Sequence, residues 1–161
     1  MVELGAIHAE SKPEMYAALL QQLRALLAGE RNLVANAANT AALLFHSLPG
    51  VNWAGFYLLV EGELVVGPFQ GKPACVRIPL GRGVCGTAAA ELRTVVVQDV
   101  HQFPGHIACD ADSRSEVVVP LLSNGNLLGV LDIDSPQVGR FDDEDRAGIE
   151  KIAEAFVAGL S

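Results

Sequence analysis

Residues 115–135 read SEVVVPLLSNGNLLGVLDIDS, two apolar runs on either side of the pair Asn124–Gly125. Asn-Gly accepts positive φ at both central positions of a two-residue turn, and the resulting type I′ geometry matches the twist of a β-hairpin. SEVVVPLLS and NLLGVLDIDS are therefore expected to pair as antiparallel strands. In the second run Asp132 and Asp134 alternate with Ile133, so both aspartates point to one face of the sheet. Stability alone does not explain a carboxylate pair in an apolar strand.

The same signals extend outward. NWAGFYLLV (52–60) and ELVVGPFQ (63–70) flank a short turn at Glu61 and Gly62, which predicts a second hairpin. ACVRIPL (74–80) is expected as a third strand, GRGVCGTAAAEL (81–92) as a glycine turn running into a short helix, and TVVVQDV (94–100) as a β-branched strand. An irregular loop follows, roughly His101 to Arg114. Near the N-terminus, Ser11, Pro13 and Glu14 form a helix start with Ser11 as N-cap, ahead of apolar Tyr16, Leu19, Leu20, Leu23, Leu26 and Leu27. Arg31 to about His46 is a second, Ala-rich helix ended by the turn SLPG. FDDEDRAGIEKIAEAFVAGL, after Arg140, has acidic residues in its first turn and apolar residues at helical spacing, which predicts a C-terminal helix. Hairpins in the middle and helices at both ends imply an α+β fold: an antiparallel sheet with the N- and C-terminal helices packed on one face.

At 161 residues the chain is about one domain long, and residues 1–161 are read as a single domain able to enclose a pocket. Eleven Lys and Arg against nineteen Asp and Glu leave a net charge of -8, which repels phosphate backbones and anionic membranes. Nucleic acid and membrane are not expected as partners. MVELGAIHAESKPEM lacks a basic stretch followed by an apolar one, and no apolar run approaches the ~20 residues of a membrane span. The expected compartment is the cytoplasm. Three cysteines are too few for a disulfide framework; in a reducing compartment they are buried, redox-active or metal-bound.

Each cysteine has its own setting. Cys75 falls in an expected strand, where a small apolar side chain suits core packing. Cys85 opens a helix, whose dipole would lower a thiol pKa, so by that local rule it is the most activated of the three, yet a buried structural thiol is the preferred reading. Cys109 lies in GHIACDADSRSE (105–116), a polar loop where packing explains little, although Asp110, Asp112 and Glu116 should discourage its thiolate. Glu116 with Asp132 and Asp134 suggests a pocket of converging carboxylates, against the plainer reading of a solvated strand end. Carboxylates held close cannot all ionise, and one that stays protonated can pass a proton to an oxygen. Trp53, the only tryptophan, suits either the core or a pocket wall. His101 and His106 flank the loop, but no CxxC or HxxxH spacing occurs, so no metal is expected.

Four stretches carry a family resemblance: NWAGFYLL, GPFQGKPACVRIPLGRGVCGTAA, FPGHIACDADSRSEVVVPL and GVLDIDSP. Together they resemble the free methionine-(R)-sulfoxide reductases, enzymes built on a GAF domain, from about Asn52 to Asp145. The resemblance implies thiol-dependent reduction of free methionine-(R)-sulfoxide, with neither a metal nor an organic cofactor. It implies Cys109 as nucleophile, Cys75 as resolving thiol, and Cys85 as a third family cysteine of less defined role. Glu116, Asp132 and Asp134 match substrate-binding carboxylates, with Asp134 favoured as the acid, and Trp53 matches a wall against the methyl end. A sulfenic acid on Cys109 would then condense with a second thiol to a disulfide, which an external dithiol opens. Thioredoxin as reductant and a homodimer are implied in the same way. The alternative is a non-catalytic, small-molecule-sensing GAF module.

Overall fold

The computed structural model describes residues 2–161. Helix α1 (Lys12–Leu27) starts where Ser11 accepts the Glu14 N–H, and α2 (Leu33–Ser47) where Asn32 accepts the Ala35 N–H. Strands β1 (Trp53–Val60) and β2 (Glu63–Gly71) form the first hairpin, and a short β3 (Arg77–Pro79) follows. Helix α3 (Gly83–Glu91), β4 (Val95–Val97) and a single 3-10 turn (Val100–Gln102) precede the second hairpin, β5 (Ser115–Ser123) and β6 (Asn126–Ser135). Helix α4 (Asp143–Ala158) closes the fold; Asp142 and Asp145 cap each other's backbone N–H groups at its start. Asn124 and Gly125 take φ of 51° and 80°, and Glu61 and Gly62 take 51° and 84°, the positive values that type I′ turns require.

The six strands lie in the order β3-β2-β1-β6-β5-β4, and all neighbours are antiparallel. Period-two alternation sorts the side chains to two faces. Ala54, Phe56, Val117, Val119, Leu131 and Ile133 meet α1, α2 and α4 on one face, as the sequence predicts for the terminal helices. Trp53, Tyr57, Val118 and Val130 meet α3 on the other.

Asp145, fully buried, binds α4 to α1. It accepts from the Tyr16 hydroxyl at 2.7 Å, the Lys12 ammonium at 2.6 Å and the Arg140 guanidinium at 3.2 Å. Gly148, one turn on, has the Tyr16 ring directly over its Cα.

Two predicted strands are shorter than expected: the one over 94–100 pairs only from Val95 to Val97 before the 3-10 turn begins at Val100, and the other lies before α3. The strand over 74–80 pairs with β2 only from Arg77 to Pro79, so Cys75 lies in the connecting loop and not in the sheet. The chain leaves the ladder there because Pro73 has no N–H to give it and side chains take the carbonyls. The Trp53 indole N–H donates to the Lys72 carbonyl at 3.1 Å, and the Tyr57 hydroxyl donates to the Cys75 carbonyl at 2.9 Å.

Candidate functional site

The pocket sits on the α3 face of the sheet, and strand register assembles its floor. Glu116 is directly opposite Asp134 across β5 and β6, and Asp134 is opposite Trp53 across β6 and β1. Asp132, two residues from Asp134, shares its face and lies opposite Gly55. Gly55 matters because a Cβ there would strike Phe69; without one, Phe69 stacks on Trp53 with ring centroids 5.1 Å apart. The wall and the three acids are thus one product of sheet register.

Two segments close the site from above. Helix α3 brings Gly83, Val84 and Cys85, whose N-terminal amides have no side-chain cap. The loop 98–114 brings His106, Ile107, Cys109 and Asp110. Its ends are pinned to the sheet: Val100 donates to the Arg114 carbonyl and Arg114 to the Ser135 carbonyl, each at 2.8 Å. Ser113 is buried and receives an Asn52 amide N–H at 3.3 Å. Cys109 and Cys75 are joined by a disulfide, with Cα atoms 5.3 Å apart, at the mouth of the pocket. The exposed pair Lys72–Asp112, at 2.9 Å, bridges the same two loops.

Burial sets the electrostatics. Glu116 and Asp132 are 7 % and 5 % exposed, and Asp134 is half-buried. Desolvation raises all three carboxyls well above the usual carboxylate range, and their mutual repulsion adds to it: Asp132 on Glu116, Asp134 on Asp132, Glu116 on Asp134. Both causes favour the protonated form of each acid. Asp132, which lines the pocket, has its Oδ1 buried without a hydrogen-bond partner.

Helix position and burial point opposite ways for Cys85. Its helix position suggested an activated thiol, but the side chain is 4 % exposed and its Sγ is 3.8 Å from Glu116 Oε2. Burial pushes this thiol well up, and Asp132 and Glu116 push it further. A short helix's partial charge cannot outweigh desolvation plus adjacent carboxylates.

Of the other candidate residues, Trp53, Cys75, Cys109, Glu116, Asp132 and Asp134 all meet at this one place. Asp112 does not: it is exposed and paired with Lys72. Among the described residues, donor atoms of Cys85, Glu116 and Asp132 lie within 4.8 Å of one another, a grouping suited to a cation; His101 and His106 are outside it. Burial and then His101 lower the His106 pKa. Reading the sequence also missed the uncapped α3 amides and Tyr57. The alternation Trp53, Gly55, Tyr57 in NWAGFYLL was the available signal for Tyr57.

A two-hairpin antiparallel sheet with helices on both faces and a ligand pocket under α3 is the architecture of a GAF domain, and the GAF domain family model matches residues 13–160. The free methionine-R-sulfoxide reductase of Escherichia coli is 56 % identical over 142 residues, covering 88 % of this chain and 86 % of that protein. Free methionine-R-sulfoxide reductase from Neisseria meningitidis, solved in complex with its substrate, superposes with a TM-score of 0.95 at 46 % identity, covering 99 % and 96 % of the two chains. A GAF protein from Burkholderia vietnamiensis superposes at 0.89 with 63 % identity, covering 91 % and 94 %. The chain belongs to the free methionine-R-sulfoxide reductase family of GAF domains.

Proposed function

We propose that this protein reduces free methionine-(R)-sulfoxide to methionine with thiol electrons. The observation that carries the reading is the Cys75–Cys109 disulfide, whose Cys109 lines a pocket together with buried Glu116 and Asp132 and half-buried Asp134. A ligand sensor needs the pocket but has no use for a disulfide at its rim, so the arrangement favours a catalyst over a sensing module.

Cys109 attacks the sulfoxide sulfur. Thiol and sulfoxide become sulfenic acid and thioether, and the oxygen moves from substrate to enzyme with proton assistance. Asp134, half-buried and holding a proton, is the proposed acid; Glu116, its cross-strand partner, holds that proton in place. Asp132, with its unpartnered oxygen, receives the substrate ammonium. The uncapped α3 amides suit the carboxylate, and Trp53 packs on the methyl end. Acids beside a nucleophilic cysteine then make sense: they deliver protons to the leaving oxygen, and the incoming ammonium offsets their charge. Cys75 condenses with the sulfenic acid, while Cys85 stays a neutral buried thiol. The catalytic unit is the single domain formed by residues 1–161.

By family resemblance we extend the reading to thioredoxin as the dithiol that opens the disulfide, a homodimer as the working form, and the cytoplasm as the compartment. No described helix is long and apolar enough to cross a membrane.

The test is incubation with racemic methionine sulfoxide and dithiothreitol, followed by chiral chromatography. Methionine should appear at the expense of the R epimer alone. Absence of methionine, or equal loss of both epimers, overturns the assignment.

A further inference from the structure

The segment bearing Cys75 is held by the aromatic side chains of β1. Between β2 and β3 the chain leaves the ladder, and its carbonyls at Lys72 and Cys75 are taken by the Trp53 indole and the Tyr57 hydroxyl. Val76 returns to the sheet through its carbonyl, which accepts the Val66 N–H at 2.8 Å. Tyr57 is 2 % exposed, and its ring stacks on Trp53 with centroids 5.9 Å apart. Its hydroxyl contacts the very residue whose thiol must reach Cys109, across a Cα separation of 5.3 Å.

We infer that Tyr57 is a positioning residue for the resolving step: its hydroxyl, bound to the Cys75 carbonyl, fixes the loop so that the Cys75 thiol meets the sulfenic acid on Cys109. The inference rests on the reductase reading above. In this step the Cys75 sulfur displaces hydroxide from the Cys109 sulfur. An S–S bond forms as the S–O bond breaks, the thiol proton leaves with the hydroxide as water, and the sulfenic sulfur is reduced as the thiol sulfur is oxidised. No outside electron enters until a dithiol attacks the product. Without the anchor, the 72–76 segment samples orientations in which Cys75 points elsewhere, and the effective concentration of its thiol falls. Burial, then Asp132, raises the tyrosine pKa, so the hydroxyl remains a donor throughout the working pH range.

Tyr57→Phe removes the hydroxyl and keeps the ring. In a single turnover with excess methionine sulfoxide and no reductant, two quantities are followed: methionine formed, and sulfenic acid trapped by dimedone against time. The variant should form its disulfide about fivefold more slowly, the factor that one net hydrogen bond carries, while methionine formation changes by a smaller factor. Dimedone adduct should accumulate accordingly. In a Cys75→Ser background the substitution should leave the sulfenic acid lifetime unchanged, since no resolving thiol remains to be positioned. A readout free of substrate is equilibration with reduced and oxidised glutathione, where the effective concentration of the Cys75–Cys109 pair should drop by a similar factor. Disulfide formation at the wild-type rate in Tyr57→Phe, or an equal slowing of both steps, overturns the inference. Absence of methionine from the unmodified enzyme instead sinks the reductase reading.

Discussion

Acetylating the amino group of the substrate tests whether the acid cluster reads a positive charge. The pocket floor holds Glu116 and Asp132 out of water with Asp134 half-buried beside them, and Asp132 Oδ1 has no hydrogen-bond partner among the described residues. A free amino acid brings an ammonium that satisfies this oxygen and offsets both the burial and the mutual repulsion that raise all three carboxyls. N-acetylmethionine sulfoxide keeps the sulfoxide and the carboxylate and offers only a neutral amide. A hydrogen bond to a charged group is worth about 1.5–3 kcal/mol, and a missing partner leaves a buried acceptor unsatisfied as well. At about 1.4 kcal/mol per tenfold, a loss near 3 kcal/mol lowers kcat/KM by about a hundredfold. The assay is methionine or acetylmethionine release in dithiothreitol, read by chromatography over a range of substrate concentrations. A deaminated analogue, which lacks both charge and acetyl bulk, separates electrostatics from sterics and should be equally poor. Asp132→Asn should narrow the preference for the free amino acid. Comparable kcat/KM for the free, acetylated and deaminated compounds would refute the charge argument, and the acid floor would need another purpose.

Cys109→Ser should abolish reduction, whereas Cys75→Ser should still yield about one methionine per enzyme before stalling; full turnover by the Cys109 variant would remove it as nucleophile. Asp134→Asn should slow methionine formation by more than ~10-fold, as measured by rapid quench, and a wild-type rate would shift the acid role elsewhere. The raised carboxyls predict a pH trend in the ligand-free protein. Protonated acids favour the folded state at and below the unfolded carboxyl value of about 4, and that contribution is lost as pH rises through the elevated folded values. Calorimetry between about pH 5 and about pH 8 should show a falling Tm that flattens in Asp134→Asn, and parallel slopes in the two proteins would contradict it. Asp142, held down to about 2 chiefly by Lys12, loses its stabilising contribution only in stronger acid and leaves that window unaffected. Gly148→Ala should destabilise by about 1–3 kcal/mol in urea titration, because Tyr16 covers the site and its hydroxyl is tied to Asp145; an unchanged midpoint would mean that the ring moves freely.

What sequence made legible was local and periodic. Asn124–Gly125 and Glu61–Gly62 marked two turns, Ser11 marked a helix start, and Asp132 and Asp134 around Ile133 marked a shared face. Those features depend on two or three neighbouring residues and need no tertiary context. The failures are all tertiary. Cys75 was placed in a strand because ACVRIPL has strand composition, yet the carbonyls of Lys72 and Cys75 are claimed by two side chains from another strand. For Cys85, helix position alone favoured an activated thiol over the preferred buried one, and the burial and carboxylates that oppose activation come from the rest of the fold. The acids beside Cys109 in the chain were also only partly informative. Asp112 faces outward, whereas the floor comes from β5 and β6. The matched motifs located the acids and the Cys75–Cys109 pair more sharply than any local rule, but Tyr57 took part in no chemical motif and went unread.

The seam between β1 and β6 carries a consequence for how this enzyme comes into being. It joins residues 53–58 to residues 129–134 at the middle of the sheet, the two hairpins meeting across about half the length of the chain. Each hairpin can zip on its own, but Trp53 and Asp134 face one another only after the seam closes. Contacts of such separation are slow to form, since loop-closure entropy is lost before any reward arrives. During synthesis the first hairpin, which α2 can already cover on one face, must wait for the second before any pocket exists. A nascent chain that has not closed the seam therefore has its cysteines before it has the acid floor. Amide exchange along β1 should track global unfolding, which would make loss of activity and loss of fold a single event for any lesion in the seam.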